Sequence, residues 1–102
     1  MTKRTIIFNY RKAMNQAREL EKVASDVKNL SNQKLAASLQ ELAAGWKGES
    51  AALYLDKGNS LREDMLVISK RLMDTADVIR GIAWRIYRAE MDALETAEER
   101  RY

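Results

Sequence analysis

A chain of 102 residues is long enough for one domain and little more. It contains no proline, cysteine or histidine, which excludes disulfides, thiolate zinc sites, the commonest metal ligand and the commonest general base, and leaves nothing that forces a helix to stop. Eighteen Lys and Arg against fifteen Asp and Glu give a net charge of only +3, with both signs interspersed, so a solvated helix surface is favoured over a nucleic-acid-binding face.

The N-terminal stretch offers one short apolar run, Ile6-Ile7-Phe8, too short for the core of a secretory leader. No apolar run reaches membrane-spanning length, so export through a Sec-type route is not expected. Thr5 to Tyr10 alternates loosely, with Ile6, Phe8 and Tyr10 on one side, and predicts a short extended lead-in capped by Asn9. A first helix is then predicted over residues 10–44. Its apolar and small positions, Tyr10, Ala13, Ala17, Leu20, Ala24 and Val27, follow alternating three- and four-residue steps, and Val23 and Leu30 widen the stripe. Leu35, Leu39 and Leu42 carry it on towards Trp46. The step from Leu30 to Leu35 is one residue too long and coincides with Ser31, Asn32 and Gln33, which predicts a kink or phase slip inside this helix.

Gly45-Trp46-Lys47-Gly48 is the only place where two glycines flank a tryptophan, and it predicts a tight turn over 45–48. The second helix, over residues 49–97, keeps its phase through Tyr54, Gly58, Leu61, Met65, Ile68, Leu72, Thr75, Ile79, Ile82, Ile86, Ala89 and Ala93. Such a run of heptads argues for a helix in a left-handed bundle. Lys57-Gly58-Asn59-Ser60 resembles a stop followed by a new cap, yet the unchanged phase favours one continuous helix. At about 1.5 Å per residue the second helix is on the order of 70 Å long and the first roughly 50 Å, so the end of the second should overhang. That end carries a further apolar line, Trp84, Tyr87, Met91 and Leu94. Burying one such side chain contributes roughly 2 kcal/mol, so leaving the set in water is costly. A partner chain resolves this, and Leu61, Met65, Ile68, Leu72, Ile79, Ile82 and Trp84 are the expected dimer interface.

Length, two long helices and the central Trp46-Lys47-Gly48 turn together resemble the WXG family, the small early-secreted-antigen-like proteins of type VII secretion in Gram-positive bacteria. The resemblance covers essentially the whole chain, and Trp46-Lys47-Gly48-Glu49-Ser50-Ala51 looks like the family's passage from turn to helix. It implies an all-α, antiparallel two-helix hairpin with a WXG turn, dimerising into an elongated four-helix bundle. It also implies a signal near the end of the second helix. The Tyr-x-x-x-Asp/Glu version is not met, because Tyr87 is followed at the fourth place by Met91, with Glu90 one residue early. The apolar version fits Ile86, Glu90, Ala93 and Ala97, two of its apolar places being alanine. The mild positive charge departs from the acidic character of many members and leaves the partner's identity open.

The chain is therefore read as a single helical-hairpin domain over 1–102, without cofactor, metal or catalytic residue. The implied function is that of a small secreted substrate of a type VII system. It acts as a homodimer or as a heterodimer with a paralogue, is read by the secretion motor, and accompanies a larger co-secreted toxin where there is one. The resemblance places it outside the cell or at its surface after synthesis in the cytoplasm, and Trp46, Gly48, Ile86, Tyr87 and Glu90 are the residues it singles out. Trp46 also serves as a plug at the hairpin's end, Glu90 has a bland reading as a solvated charge, and the methionines read as packing. An intracellular coiled-coil adaptor and a membrane-active amphipathic hairpin remain as alternatives. A helical enzyme with inward-facing cations, as in chorismate mutases, is disfavoured because the heptad positions read here are apolar or small.

Overall fold

The computed structural model describes residues 2–100, and among them the chain is all-α, with no strand. Helix α1 spans Lys3–Asn29, a π-helical segment Leu30–Leu35 follows, α2 spans Ala36–Gly45, and α3 spans Glu49–Glu99. The chain divides into two compact units, Met1–Glu21 with Asp74–Tyr102, and Lys22–Met73, where the sequence predicts one domain.

The first helix begins at Lys3, not near residue 10, and the extended lead-in capped by Asn9 does not form. Two forces outweigh the local alternation. Thr2 caps the helix, its Oγ1 accepting the Thr5 amide at 3.2 Å. Ile6 stands one heptad before Ala13 and is buried to 2% exposure, whereas Phe8 remains 63% exposed, so the residues follow a helical period.

The extra residue between Leu30 and Leu35 is absorbed by the π segment, whose wider turn accommodates one residue beyond the α-helical count. Downstream of it Leu35, Leu39 and Leu42 return to the phase set by Ala24, Val27 and Ser31. An insertion of this kind disturbs the backbone ladder, and α3 supplies help. Arg62 Nε donates to the Ser31 carbonyl at 3.0 Å while Ser31 Oγ donates to the Arg62 carbonyl at 3.0 Å.

Inside the Lys22–Met73 unit the chain is a helical hairpin with an antiparallel register. Ala24 meets Ser69, whose hydroxyl donates to the Ala24 carbonyl at 2.6 Å, and one heptad along each helix Ser31 meets Arg62. Near the turn, α3 runs unbroken across Gly58 because Leu39 packs on it; a Cβ there would fall 3.0 Å from Leu39 Cδ1. The other unit pairs the start of α1 with the end of α3. Ala17 and Ala76 are fully buried, and Glu21 forms an ion pair with Arg80, which also holds Asp77 at 3.1 Å. In both units the buried residues are mostly small: Ala17, Ala24, Ser31, Ala51, Ser69, Ala76 and Ala83. Arg100 is an exposed residue just past the end of α3, and Arg101 lies outside the described residues.

Deleting Asn32 should convert the π segment into an ordinary α-helical turn and keep the Leu35, Leu39 and Leu42 row in place. Thermal unfolding followed by circular dichroism is expected to leave the midpoint essentially unchanged. Deleting Lys22, in uninterrupted α-helix, rotates the rows on one side of it by about 100° and should lower the midpoint steeply.

Candidate partner-binding surface

Each helix carries three rows around its contact seam. The seam row holds Ala17 and Ala24 on α1, Ser31 in the π segment that follows, and Arg62, Ser69, Ala76 and Ala83 on α3. One residue before each of these lies a row turned by about 100°. In an antiparallel pair, rows turned in the same sense from the seam emerge on the same side. The Glu21–Arg80 pair fixes the polar side, since both residues stand four positions after a seam residue.

The opposite side is apolar. In the Lys22–Met73 unit it displays Val23 from α1, Leu30 from the start of the π segment, and Leu61 and Ile68 from α3, each about half exposed. Met65, Leu72 and Val27 lie between them and the seam, partly covered. In the Met1–Glu21 and Asp74–Tyr102 unit the same α3 row continues with Ile82, while Ile79 is partly covered and Ile86 exposed; the equivalent α1 places are Asn9 and Gln16. An exposed set of this size is what a water-soluble monomer avoids.

Of the expected interface residues, Leu61, Met65, Ile68 and Leu72 therefore share one face of one unit, and Ile79 and Ile82 the corresponding face of the other. Trp84 does not belong with them. It stands on the Arg80 side, its ring 6.1 Å from that of Tyr10 and 5.7 Å from that of Tyr87, with Arg88 5.9 Å above it. Tyr10 and Tyr87 close the cluster at 4.8 Å. The 3-4 spacing of Trp84, Tyr87, Met91 and Leu94 described a helix face correctly but could not say that Tyr10 packs against its first two aromatics.

Ile86, Tyr87 and Glu90 come together around a cleft of about 120 Å³, lined also by Ile6, Asn9 and Tyr10. Ala93 and Ala97 are exposed and take no part in that lining. At the turn, α2 ends with Gly45 and Trp46 adopts extended backbone, its amide donating to the Leu42 carbonyl at 2.9 Å. The Trp46 ring leans on Tyr54 at 5.4 Å yet stays 40% exposed. Gly48 has a φ of +115°, a conformation that side-chain-bearing residues rarely adopt, and Glu49 opens α3 with a charge that complements its dipole.

Arg62 is the residue that the sequence pattern hides. It occupies a seam position, so the expectation of purely apolar or small heptad positions is corrected there, and its guanidinium is committed to the Ser31 carbonyl. The seven-residue spacing Arg62-Ser69-Ala76-Ala83 is a signal that could have revealed the seam; it is masked because the bulkier residues one row away dominate the hydrophobic pattern. No family model, characterised protein or solved structure matches the chain.

The two turn glycines should respond oppositely to one substitution. Gly48→Ala is expected to destabilise by about 1–3 kcal/mol through its positive φ. Gly45→Ala, with nothing within 4 Å of the added Cβ, is expected to stabilise by about 0.5–1 kcal/mol. Urea unfolding of both variants checks the pair.

Proposed function

We propose that this protein acts by association, as a hairpin subunit that pairs through the apolar side of its two helices into a four-helix bundle, and that it is a small substrate of a type VII secretion system. The single observation that carries the association is the row Leu61, Ile68 and Ile82, with Ile86 on the adjoining row, all about half exposed on one side of α3. A hairpin whose seam is built from alanine and serine leaves its leucines and isoleucines outside, and a second layer of helices is the ordinary way to cover them.

The secretion reading rests on the resemblance to the WXG family and on the turn. Trp46 is held at the end of α2 and left partly exposed, and Gly48 has a backbone angle suited to glycine. In an antiparallel pair of hairpins, the Trp46 turn of one chain lies beside the end of α3 in the other. Trp46, at the same end of the pair as the partner's helix end that carries Ile86, Tyr87 and Glu90 some turns further in, then contributes to a surface that a secretion motor reads only on the assembled pair. The partner is a second copy or a paralogue, and a larger co-secreted protein is the cargo it escorts.

Sedimentation equilibrium of the purified chain should return the mass of two 11.7 kDa subunits. A monomer at high concentration would remove the basis for self-association. For the secretion reading, Trp46→Arg and Gly48→Trp should abolish export from a Gram-positive strain with a working type VII apparatus while leaving helix content high. Undiminished export of both variants would refute it.

A further inference from the structure

We infer that the partner is a second copy of this chain, docked α3 against α3 in antiparallel fashion with Thr75 near the two-fold axis; this rests on the association reading above and fixes its register. The observation is a charge row beside the apolar one. Every seventh residue along α3, on the outer flank of Leu61, Ile68, Thr75 and Ile82, reads Lys57, Asp64, Arg71, Val78, Arg85 and Asp92. Lys57, Asp64, Arg85 and Asp92 are exposed, and none forms an ion pair among the described residues.

Turned end for end, this row is complementary to itself. One alignment sets Lys57 against Asp92, Asp64 against Arg85 and Arg71 against Val78, and two-fold symmetry repeats each contact. Slipping by one heptad in one direction brings Arg71 onto Arg71 and Lys57 onto Arg85. Slipping the other way brings Arg71 onto Arg85 and Asp64 onto Asp92. In a parallel pair the row would emerge on opposite sides of the contact in the two copies and its charges would not meet. Against its two neighbours one heptad away, the central antiparallel register has opposite charges meeting and no like charges. It also overlaps more of the row than a two-heptad slip, which keeps one opposite-charge contact, Asp64–Arg71 or Arg71–Asp92 according to direction; flanking charges specify partner and orientation in helical bundles in this way.

The apolar row agrees with that register. Leu61, Met65, Ile68 and Leu72 of one copy fall near Ala89, Ile86, Ile82 and Ile79 of the other, large side chains meeting at the centre and a small one at the edge. The choice of α3 over α1 follows from the same row on α1, where Asn9 and Gln16 replace apolar residues, while α3 stays apolar or small from Tyr54 to Ala89. Rim pairs of this kind contribute little affinity when matched but discriminate strongly when like charges are forced together.

The test is charge exchange on the full chain. Asp64→Arg sets two arginines together twice per dimer, and so should weaken dimerisation by about tenfold or more in sedimentation; Arg85→Asp, setting two aspartates together, should do the same. The double exchange Asp64→Arg with Arg85→Asp should restore affinity to within about threefold of the parent. Because the chain has no cysteine, Leu61→Cys with Ala89→Cys should yield a disulfide-linked dimer under mild oxidation, and Leu61→Cys alone should not. A dimer indifferent to both single exchanges, or cross-linked by Leu61→Cys alone, overturns this register while leaving association standing. A monomeric parent chain overturns the register and self-association together.

Discussion

The close approach of two helices along a row of small side chains is the constraint on which this protein depends. In one unit Ala17 and Ala76 are fully buried; in the other Ala24 meets Ser69, and Ser31 meets Arg62, the one large side chain on this row. Small residues let the backbones come close enough for side-chain hydroxyls to reach carbonyls of the opposite helix, as Ser69 reaches that of Ala24 at 2.6 Å. Such a seam gains from backbone proximity and hydrogen bonding more than from apolar burial. It leaves the chain's larger hydrophobic side chains without an internal partner, because they stand on rows turned away from it.

That arrangement is what would couple folding to the proposed association. A helix pair with a small-residue seam buries little apolar area, and area removed from water is the dominant favourable term in folding. The half-exposed Leu61, Ile68, Ile82, Val23 and Leu30 are then a reservoir of stabilisation that only a second layer can use. Polar detail serves the same end. The Glu21–Arg80 pair occupies the side away from the apolar row, where water screens it and where it marks that side as an outer surface. The π segment keeps Leu35, Leu39 and Leu42 in phase with the seam up to the turn, so one inserted residue costs a local distortion and not the register of a whole helix.

Much of this was legible in the sequence, and the failures have a common cause. The phase of both helices, the turn at 45–48 and the surplus residue after Leu30 follow from periodicity and glycine placement, which are local properties. The helix start was misread because Ile6, Phe8 and Tyr10 alternate as a strand would; only the burial of Ile6 and the Thr2 cap decide for helix. The seam on α3 was misplaced by one row because hydrophobic pattern weighs large residues most, and here the large residues lie beside the contact. Trp84 is read as interface from its 3-4 spacing with Tyr87, Met91 and Leu94, whereas the ring of Tyr10, distant in sequence, stands against both aromatics on the side away from Leu61 and Ile68. Each error concerns which partner a row meets, information that periodicity along one helix does not contain.

The same distinction separates the two surfaces left for function. The apolar row of α3 is continuous, seven-residue spaced and flanked by a charge row that reads sensibly in one antiparallel alignment, all marks of a surface shaped for another helix. The end of α3 is different: Tyr10, Trp84 and Tyr87 stack among themselves under Arg88, and Ile86, Tyr87 and Glu90 edge a small cleft. An aromatic cluster that is already packed internally keeps its shape before any partner arrives, so recognition there pays less ordering entropy than docking of loose side chains. In the proposed pairing the first surface is the one that a second hairpin would cover, and the second, packed within the chain and only partly covered, is the part suited to being read by something else.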